Sequence, residues 1–398
     1  MFPQELLMKS HTERLNYFKK HTVTHTLFEH IFQEVLFAIQ DAQPGTLIFV
    51  YGPSGVGKTT LLKLIENVLT KQMLAQLNSD LERIPVVTLN AVETESSSFD
   101  WKDFFQRFLI KLNDPLPENK LDLVPPDDIY KQNRYLLESG DKGTARKYRR
   151  TVERLLQYFN PLTVLIDDAQ HMGKVVSSRK LLNQLNVVKS VADQSNTVYV
   201  LSGTYELIPF LNLNDQLSRR SIHVQFPRYK VAIKEDRERF ISTLNTFQQH
   251  LPLEKAPDLI SRWDYFYERT IGCIGTLNDW LERSLSLAVR DGGKEMKPAH
   301  WEKRSPLLSQ CQKKFLEVSD AENKLEEKAD DWLGFRNKLG FSGLENESIS
   351  SGSKNEEEMP STKSKSSRRK NRVGIRNPHR DPVGIKGNEE GEDYDFTK

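Results

Sequence analysis

Cysteine is nearly absent: the 398-residue chain holds two, Cys273 and Cys311. They lie far apart and match no metal-ligand spacing. That argues against a disulfide framework and fits idle thiols in a reducing compartment. Long apolar runs are missing too. No stretch approaches the roughly 18–20 apolar residues of a membrane-crossing helix, and the start, Met1-Phe2-Pro3-Gln4-Glu5, shows no basic leader. The chain reads as soluble and cytoplasmic, with no membrane partner. An excess of one charge is also lacking, since 57 Lys and Arg against 55 Asp and Glu leave +2. Any polyanion must then be met by local patches. Hydrophobic residues make up only 37% of the chain, so a sizeable polar segment is expected.

What is present gathers around residues 47–62. The apolar run Leu47 to Tyr51 predicts a buried strand. Gly52-Pro53-Ser54-Gly55-Val56-Gly57-Lys58-Thr59-Thr60 follows at once, and Leu61, Leu62, Ile65, Val68 and Leu69 mark a helix behind it. Strand, glycine loop and helix in this order form a phosphate cradle. Glycines let backbone N–H groups turn inward, and the helix N-terminus adds partial positive charge. Lys58 is placed for the β- and γ-phosphates of ATP and Thr59 for Mg²⁺.

A second motif strengthens the reading. Leu162-Thr-Val-Leu-Ile-Asp-Asp168 is a buried strand ending in paired carboxylates. Asp167 fits the Mg²⁺ shell and Asp168 the polarising of an attacking water. Asp168 is one methylene shorter than Glu, which predicts slow hydrolysis, a switch more than a motor. Two further positions follow. The strand ending Ser202-Gly203-Thr204 offers a hydroxyl, from either Ser202 or Thr204, to sense the terminal phosphate. Arg219 and Arg220 precede the last strand, where one of them can reach a neighbouring subunit's nucleotide as a finger; the plain alternative is a solvated surface pair. Gly272 to Trp280 opens a lid helix. Many ATPases with a loop of this kind carry a basic residue close to this position to touch the γ-phosphate. Here Thr276 stands at that site, which leaves the contact without its usual cation, and Arg283 is the fallback.

Along the chain, strands at 47–51, 84–90, 162–168, 197–204 and 222–226 alternate with helices, which predicts a parallel sheet covered on both faces. The expected divisions are an arm at 1–26 anchored by Arg14 and Phe18, an α/β nucleotide-binding domain at 27–229, a helical lid and terminal helix at 230–339, and a disordered charged tail at 340–398. The helical segments expected after 230 are 234–250, 257–270, 276–290 and 305–335. The aromatic stripe Trp101, Phe104, Phe105, Phe108 has helical spacing and reads as core. Lys142, Arg146, Lys147, Arg149 and Arg150 form a basic cluster that can meet DNA phosphates without reading bases, or simply be solvated. The tail's basic block, Lys363 to Arg380, offers a second hook for DNA or for an acidic partner surface.

The order of elements resembles the AAA+ ATPases: an α/β P-loop NTPase with a parallel sheet covered by helices, a small all-α lid and a disordered C-terminal tail. More narrowly, Tyr51 to Leu62, Leu165-Ile-Asp-Asp-Ala-Gln-His171, Leu201-Ser-Gly-Thr-Tyr-Glu-Leu207 and Gln216-Leu-Ser-Arg-Arg220 are similar to the transposition regulators TnsC and TniB, with MuB more distant. The arm with Arg14, Phe18, Val23 and His25 is similar too. The family's usual Asp-Glu stands here as Asp-Asp. The resemblance covers about residues 10–290. It implies a protein that binds ATP and Mg²⁺, assembles as a ring or helical filament on double-stranded DNA, and links a target-selection protein or RNA-guided complex to transposase subunits. The rival expectation is an AAA+ ATPase of a secretion or signalling system that does not bind DNA.

Overall fold

In the computed structural model, the described residues are 2–20, 24–76, 84–93, 99–113, 144–173, 178–211, 220–292, 294–326 and 329–341. The chain divides into two units, 1–327 and 328–398.

The first unit begins with helix α1 (His11–Lys20) and α2 (Thr26–Asp41), followed by β1 (Leu47–Tyr51) and α3 (Lys58–Gln76). Then come β2 (Val86–Asn90), α4 (Trp101–Asn113), α5 (Ala145–Phe159) and β3 (Thr163–Asp167). Next are α6 (Ser178–Ser195), β4 (Val198–Gly203), the single turn α7 (Ile208–Leu211) and β5 (Ser221–Gln225). The remaining helices are α8 (Lys234–His250), α9 (Trp263–Thr270), α10 (Ile274–Arg290), α11 (Pro298–Lys303) and α12 (Leu308–Leu325). The second unit contains α13 (Ala329–Lys338).

The five strands form one parallel sheet in the order β2-β3-β4-β1-β5. β1 lies between β4 and β5 and is apolar at every position because both sheet faces are covered. Its side chains alternate. Leu47, Phe49 and Tyr51 join α4, α5 and α6 on one face, and Ile48 and Val50 join α2 and α3 on the other. The stripe Phe104, Phe105, Phe108 lies in the first of these cores, as its spacing predicted.

A third core belongs to the lid, where Trp280, Phe240, Phe247, Phe266 and Trp301 pack together. Phe18 of α1 enters this lid core, and Arg14 donates to the Pro252 carbonyl through both Nε, at 2.9 Å, and Nη2. The N-terminal arm is thus helical between His11 and Lys20 and fastened to the lid. The single helix expected over 305–335 is instead two, α12 and α13, because Glu326 leaves helical geometry at the end of α12. The tail from 342 onward lies outside the described residues. Among the described residues, no helix is long and apolar enough to cross a membrane.

Candidate nucleotide site

β1 stops at Tyr51 and the chain turns through Gly52–Gly57 into α3. Two glycines are required by what surrounds them. A Cβ on Gly52 would stand 2.0 Å from the Phe226 carbonyl oxygen, and one on Gly55, at φ +73°, would stand 2.3 Å from Thr276 Oγ1. The loop leaves room only for backbone, which is what an anion cradle needs. Lys58 folds back over it, donating to Gly52 O at 3.0 Å and Pro53 O at 2.8 Å. Burial pulls its pKa down to about 8, against the pull of Asp167. The ammonium is therefore charged at neutral pH and is held by two carbonyls that a phosphate can outcompete.

Thr59, in the first turn of α3, donates to Asp167 Oδ2 at 2.6 Å. Asp167 is buried at the end of β3, and it meets Thr59, 108 positions earlier in the chain, because β3 runs parallel to the strand that feeds the loop.

 A hydroxyl and a carboxylate side by side are the hard oxygen donors Mg²⁺ takes, with phosphate and water completing its shell. Thr59 and Asp167 therefore fit the role expected of them. Val56 and Thr60 border a small cavity of about 100 Å³ with His25, Phe28, Ile274 and Asn278. His25 Nδ1 lies 2.8 Å from the Tyr229 hydroxyl and accepts the Phe28 N–H at 3.3 Å. Burial lowers the His25 pKa to about 4, so the ring is neutral.

Asp168 adopts the left-handed conformation, φ +53°, and its side chain is exposed. Its own N–H donates to Asp167 Oδ1 at 3.0 Å. Gln170 donates to Asp168 Oδ1 at 3.1 Å, and its carbonyl oxygen accepts the Thr204 N–H at 3.2 Å. Gln170 thus ties the acidic strand end to the end of β4. The sequence reading assigned it no role, although it stands in the quoted Asp-Ala-Gln-His string. Ser202 and Thr204 stand in different surroundings. Ser202 is fully buried within the sheet and its hydroxyl has no partner among the described residues. Thr204 caps the turn Tyr205–Leu207 and borders a cavity of about 600 Å³ together with Pro53 and Ser54 of the loop.

The lid touches the loop directly. Thr276 N–H donates to Gly55 O at 2.9 Å. The cation at Thr276 is Lys314 of α12, whose Nζ donates to Thr276 Oγ1 at 2.9 Å. Arg283 is exposed on α10. Lys314 carried no signal in sequence, because it lies 38 residues beyond Thr276 in a helix with no motif. Arg228, just after β5, grips Glu322 of α12 with two bonds of 3.1 Å and holds that helix in place.

Other expected site residues lie elsewhere. Arg220 precedes β5, and the register Leu47↔Ser221 to Tyr51↔Gln225 puts it at the opposite end of the strands from Gly52. It pairs with Asp193 at 3.2 Å. In α5, Tyr148, Val152, Leu155, Leu156 and Phe159 face the core, leaving Arg146, Lys147 and Arg150 exposed. Arg149 is engaged by Glu153 and by Ser190, each at 2.7 Å. Arg219, Lys142 and the tail block from Lys363 to Arg380 lie outside the described residues.

Residues 41–211 match the family model described as an AAA domain. The sheet, its helices and this match give an α/β P-loop NTPase fold of the AAA+ type. Similar solved structures include the Aeropyrum pernix ORC1 protein in complex with DNA, at 12% identity and TM-score 0.48, covering 76% of this chain and 68% of that one. A Walker-type ATPase of Pyrococcus abyssi is similar at 15% identity and TM-score 0.47, covering 84% of this chain and 80% of that one. Cdc6p from Pyrobaculum aerophilum is similar at 12% identity and TM-score 0.47, covering 73% and 71%. No curated protein matches.

Proposed function

We propose that this protein is an ATP-switched assembly factor of DNA transposition, of the TnsC and TniB kind. In this reading ATP and Mg²⁺ occupy the cradle of Lys58, Thr59 and Asp167, and copies of the chain join as a ring or helical filament on double-stranded DNA. The assembly connects a target-selection protein or RNA-guided complex to transposase subunits. Slow hydrolysis, with Asp168 orienting water, returns it to the unassembled state.

The observation that carries the assembly part is the place of Arg220. Five strand residues separate its end of the sheet from the cradle, about 16 Å at the usual rise per residue. Arg220 cannot serve its own nucleotide from there, but an edge position suits a finger offered to a neighbour, with Arg219 as the alternative. The cradle supports the ATP part. Chain order and the strings around Asp168, Thr204 and Arg220 support the narrower likeness. The exposed Arg146, Lys147 and Arg150 support a phosphate-tracking DNA contact that reads no bases.

Electron microscopy of the full chain with duplex DNA and a non-hydrolysable ATP analogue tests this. Rings or filaments on DNA are expected with wild type and not with Lys58→Ala. Nucleotide-dependent oligomers that ignore DNA would instead favour the secretion or signalling reading. DNA coating by Lys58→Ala as complete as wild type would overturn the switch.

A further inference from the structure

The cavity beside Thr204 is a groove with a defined chemistry. The turn Tyr205–Leu207 and α7 form one wall and α12 the other, around a volume of about 600 Å³. Val318 and Ala321 of α12, both buried, and Ile208 of α7 give it an apolar floor. Three exposed carboxylates, Glu206, Glu317 and Asp320, line it as well. Glu317 has only Lys313 as a partner, at 3.9 Å between two exposed groups, and among the described residues Glu206 and Asp320 have no ion pair. Of the cations that line it, Lys314 is turned onto Thr276 Oγ1, which leaves Lys324. A groove of this size, with an apolar floor and unpaired carboxylates, suits a short peptide that carries aliphatic side chains and a cation.

The chain contains such a peptide twice. Val373-Gly374-Ile375-Arg376 recurs ten residues on as Val383-Gly384-Ile385-Lys386, in the part of the tail that lies outside the described residues. The two copies share a pair of aliphatic side chains around a glycine, then a cation, while the residues on either side differ. A hook for DNA phosphates needs the cation alone and has no use for Val and Ile at fixed places. A peptide-binding groove uses all four residues. In an extended peptide, residues two apart point to one side and the next points to the other, so Val and Ile can face a floor while the cation reaches a rim. The glycine between them lets the backbone lie close to the wall. The exchange of Arg for Lys keeps the charge and loses the planar fork, which matches a simple contact with an exposed carboxylate.

We propose that each Val-Gly-Ile-Arg/Lys copy is a docking motif for the groove of a second copy of the chain, so that the tail straps one copy to another. The groove occurs once per chain and the motif twice, so a chain cannot occupy both of its motifs by itself. Roughly 30 residues separate Phe341 from Val373, and a coil of that length spans about 30 Å. That exceeds the radius of gyration, roughly 20 Å, of a folded unit the size of residues 1–327. The ten-residue spacing, at most about 35 Å when extended, lets one tail reach two adjacent grooves and gain from their linkage. Such a strap works with or without nucleotide and DNA.

Sedimentation of the nucleotide-free full chain tests this. Wild type should associate as its concentration rises. Two pairs of changes should each weaken association at least about tenfold, the scale of losing aliphatic contacts or of reversing charges across an interface. One pair is Ile375→Ser with Ile385→Ser in the tail, and the other is Glu206→Lys with Asp320→Lys in the groove. All four positions lie outside the apolar cores, and circular dichroism like that of wild type checks that the variants fold. Mixed together, the two variants should associate again, because one brings an intact tail and the other an intact groove. Adding Arg376→Glu and Lys386→Glu to the Glu206→Lys, Asp320→Lys chain should also restore association, by swapping the charges on both sides. A wild-type chain that stays monomeric throughout its soluble range would overturn the proposal, and so would variants that associate as wild type does. Variants that stay apart when mixed would overturn exchange between copies. Loss of duplex-DNA binding in the tail variant, with self-association unchanged, would make the repeat a phosphate hook instead.

Discussion

Gln170 donates its side-chain amide to the carboxylate of Asp168 while accepting the backbone N–H of Thr204, so one side chain spans the ends of β3 and β4. The carboxylate proposed to orient water is therefore held from outside the cradle. A short acid at φ +53° has few other restraints, since its side chain is exposed.

Removing the restraint should slow turnover without releasing nucleotide. Gln170→Ala is expected to lower single-turnover hydrolysis about tenfold, the scale on which supporting hydrogen bonds act, and to change nucleotide affinity by less than about threefold. Asp168→Asn should abolish turnover and retain binding. Asp168→Glu, one methylene longer, should raise the rate; an unchanged rate would remove chain length as the cause of slow hydrolysis.

Lys58 gives a pH test of the cradle. Its pKa in the free protein is lowered to about 8 by burial, and a bound phosphate favours the charged form and raises it again. Binding should then take up a proton above pH 8. Affinity should be flat with respect to this group below about pH 7 and fall by up to about tenfold per pH unit above 8. Calorimetry in two buffers of different ionisation heat checks the uptake. No proton uptake at pH 8.5 would mean either that Lys58 is already fully charged there in the free protein or that it does not meet the phosphates, and Lys58→Ala separates the two by its effect on affinity at pH 7.

His25 gives the opposite edge. Its pKa falls from 6.5 to about 4 through burial. Between these values the unfolded chain binds the proton and the folded one does not, so stability is present above pH 6.5 and is lost on acidification towards pH 4. The shift corresponds to about 3 kcal/mol if the unfolded histidine is ordinary. Urea titrations at pH 7 and pH 5 measure it. His25→Gln should show a smaller loss between the two pH values, although it begins less stable because the cap on Phe28 N–H weakens.

Much of this was legible in sequence because the signals were local. Leu47 to Tyr51 is apolar at every position, as a strand covered on both faces must be, and the glycines behind it run straight into Lys58 and Thr59 with the spacing of a phosphate loop. Asp167 was legible for the same reason, as the acid at the end of a buried strand. Lys314 and Gln170 were not. Lys314 reaches Thr276 only because Arg228 and Glu322, 94 residues apart, clamp α12 in place, and no periodicity encodes such a pairing. Gln170 acts through one amide bridging two strand ends, which depends on β3 and β4 being neighbours. The break between α12 and α13 was hidden as well, since Glu326, Glu327 and Lys328 have helix-favouring side chains.

The closest contact at the cradle supplies a stability test that does not depend on nucleotide. Gly52 follows β1, and the Phe226 N–H donates to Tyr51 O at 2.8 Å, so β1 and the residue after β5 are tied at this level. A Cβ at Gly52 would meet the Phe226 carbonyl oxygen at 2.0 Å, and that oxygen belongs to backbone, which cannot rotate away as a side chain can. Gly52→Ala must therefore part the two chains, at a cost of about 3 kcal/mol, the upper range for overpacking a dense interior. Gly292→Ala is the comparison. Its φ is +111°, but nothing lies within 4 Å of an added Cβ, so only backbone strain is incurred, about 1–2 kcal/mol. Urea unfolding of the two variants should rank Gly52→Ala as the less stable. The reverse order would mean that strand ends β1 and β5 yield more easily than their hydrogen bond suggests, and the cradle would then have to be regarded as pliant instead of preformed.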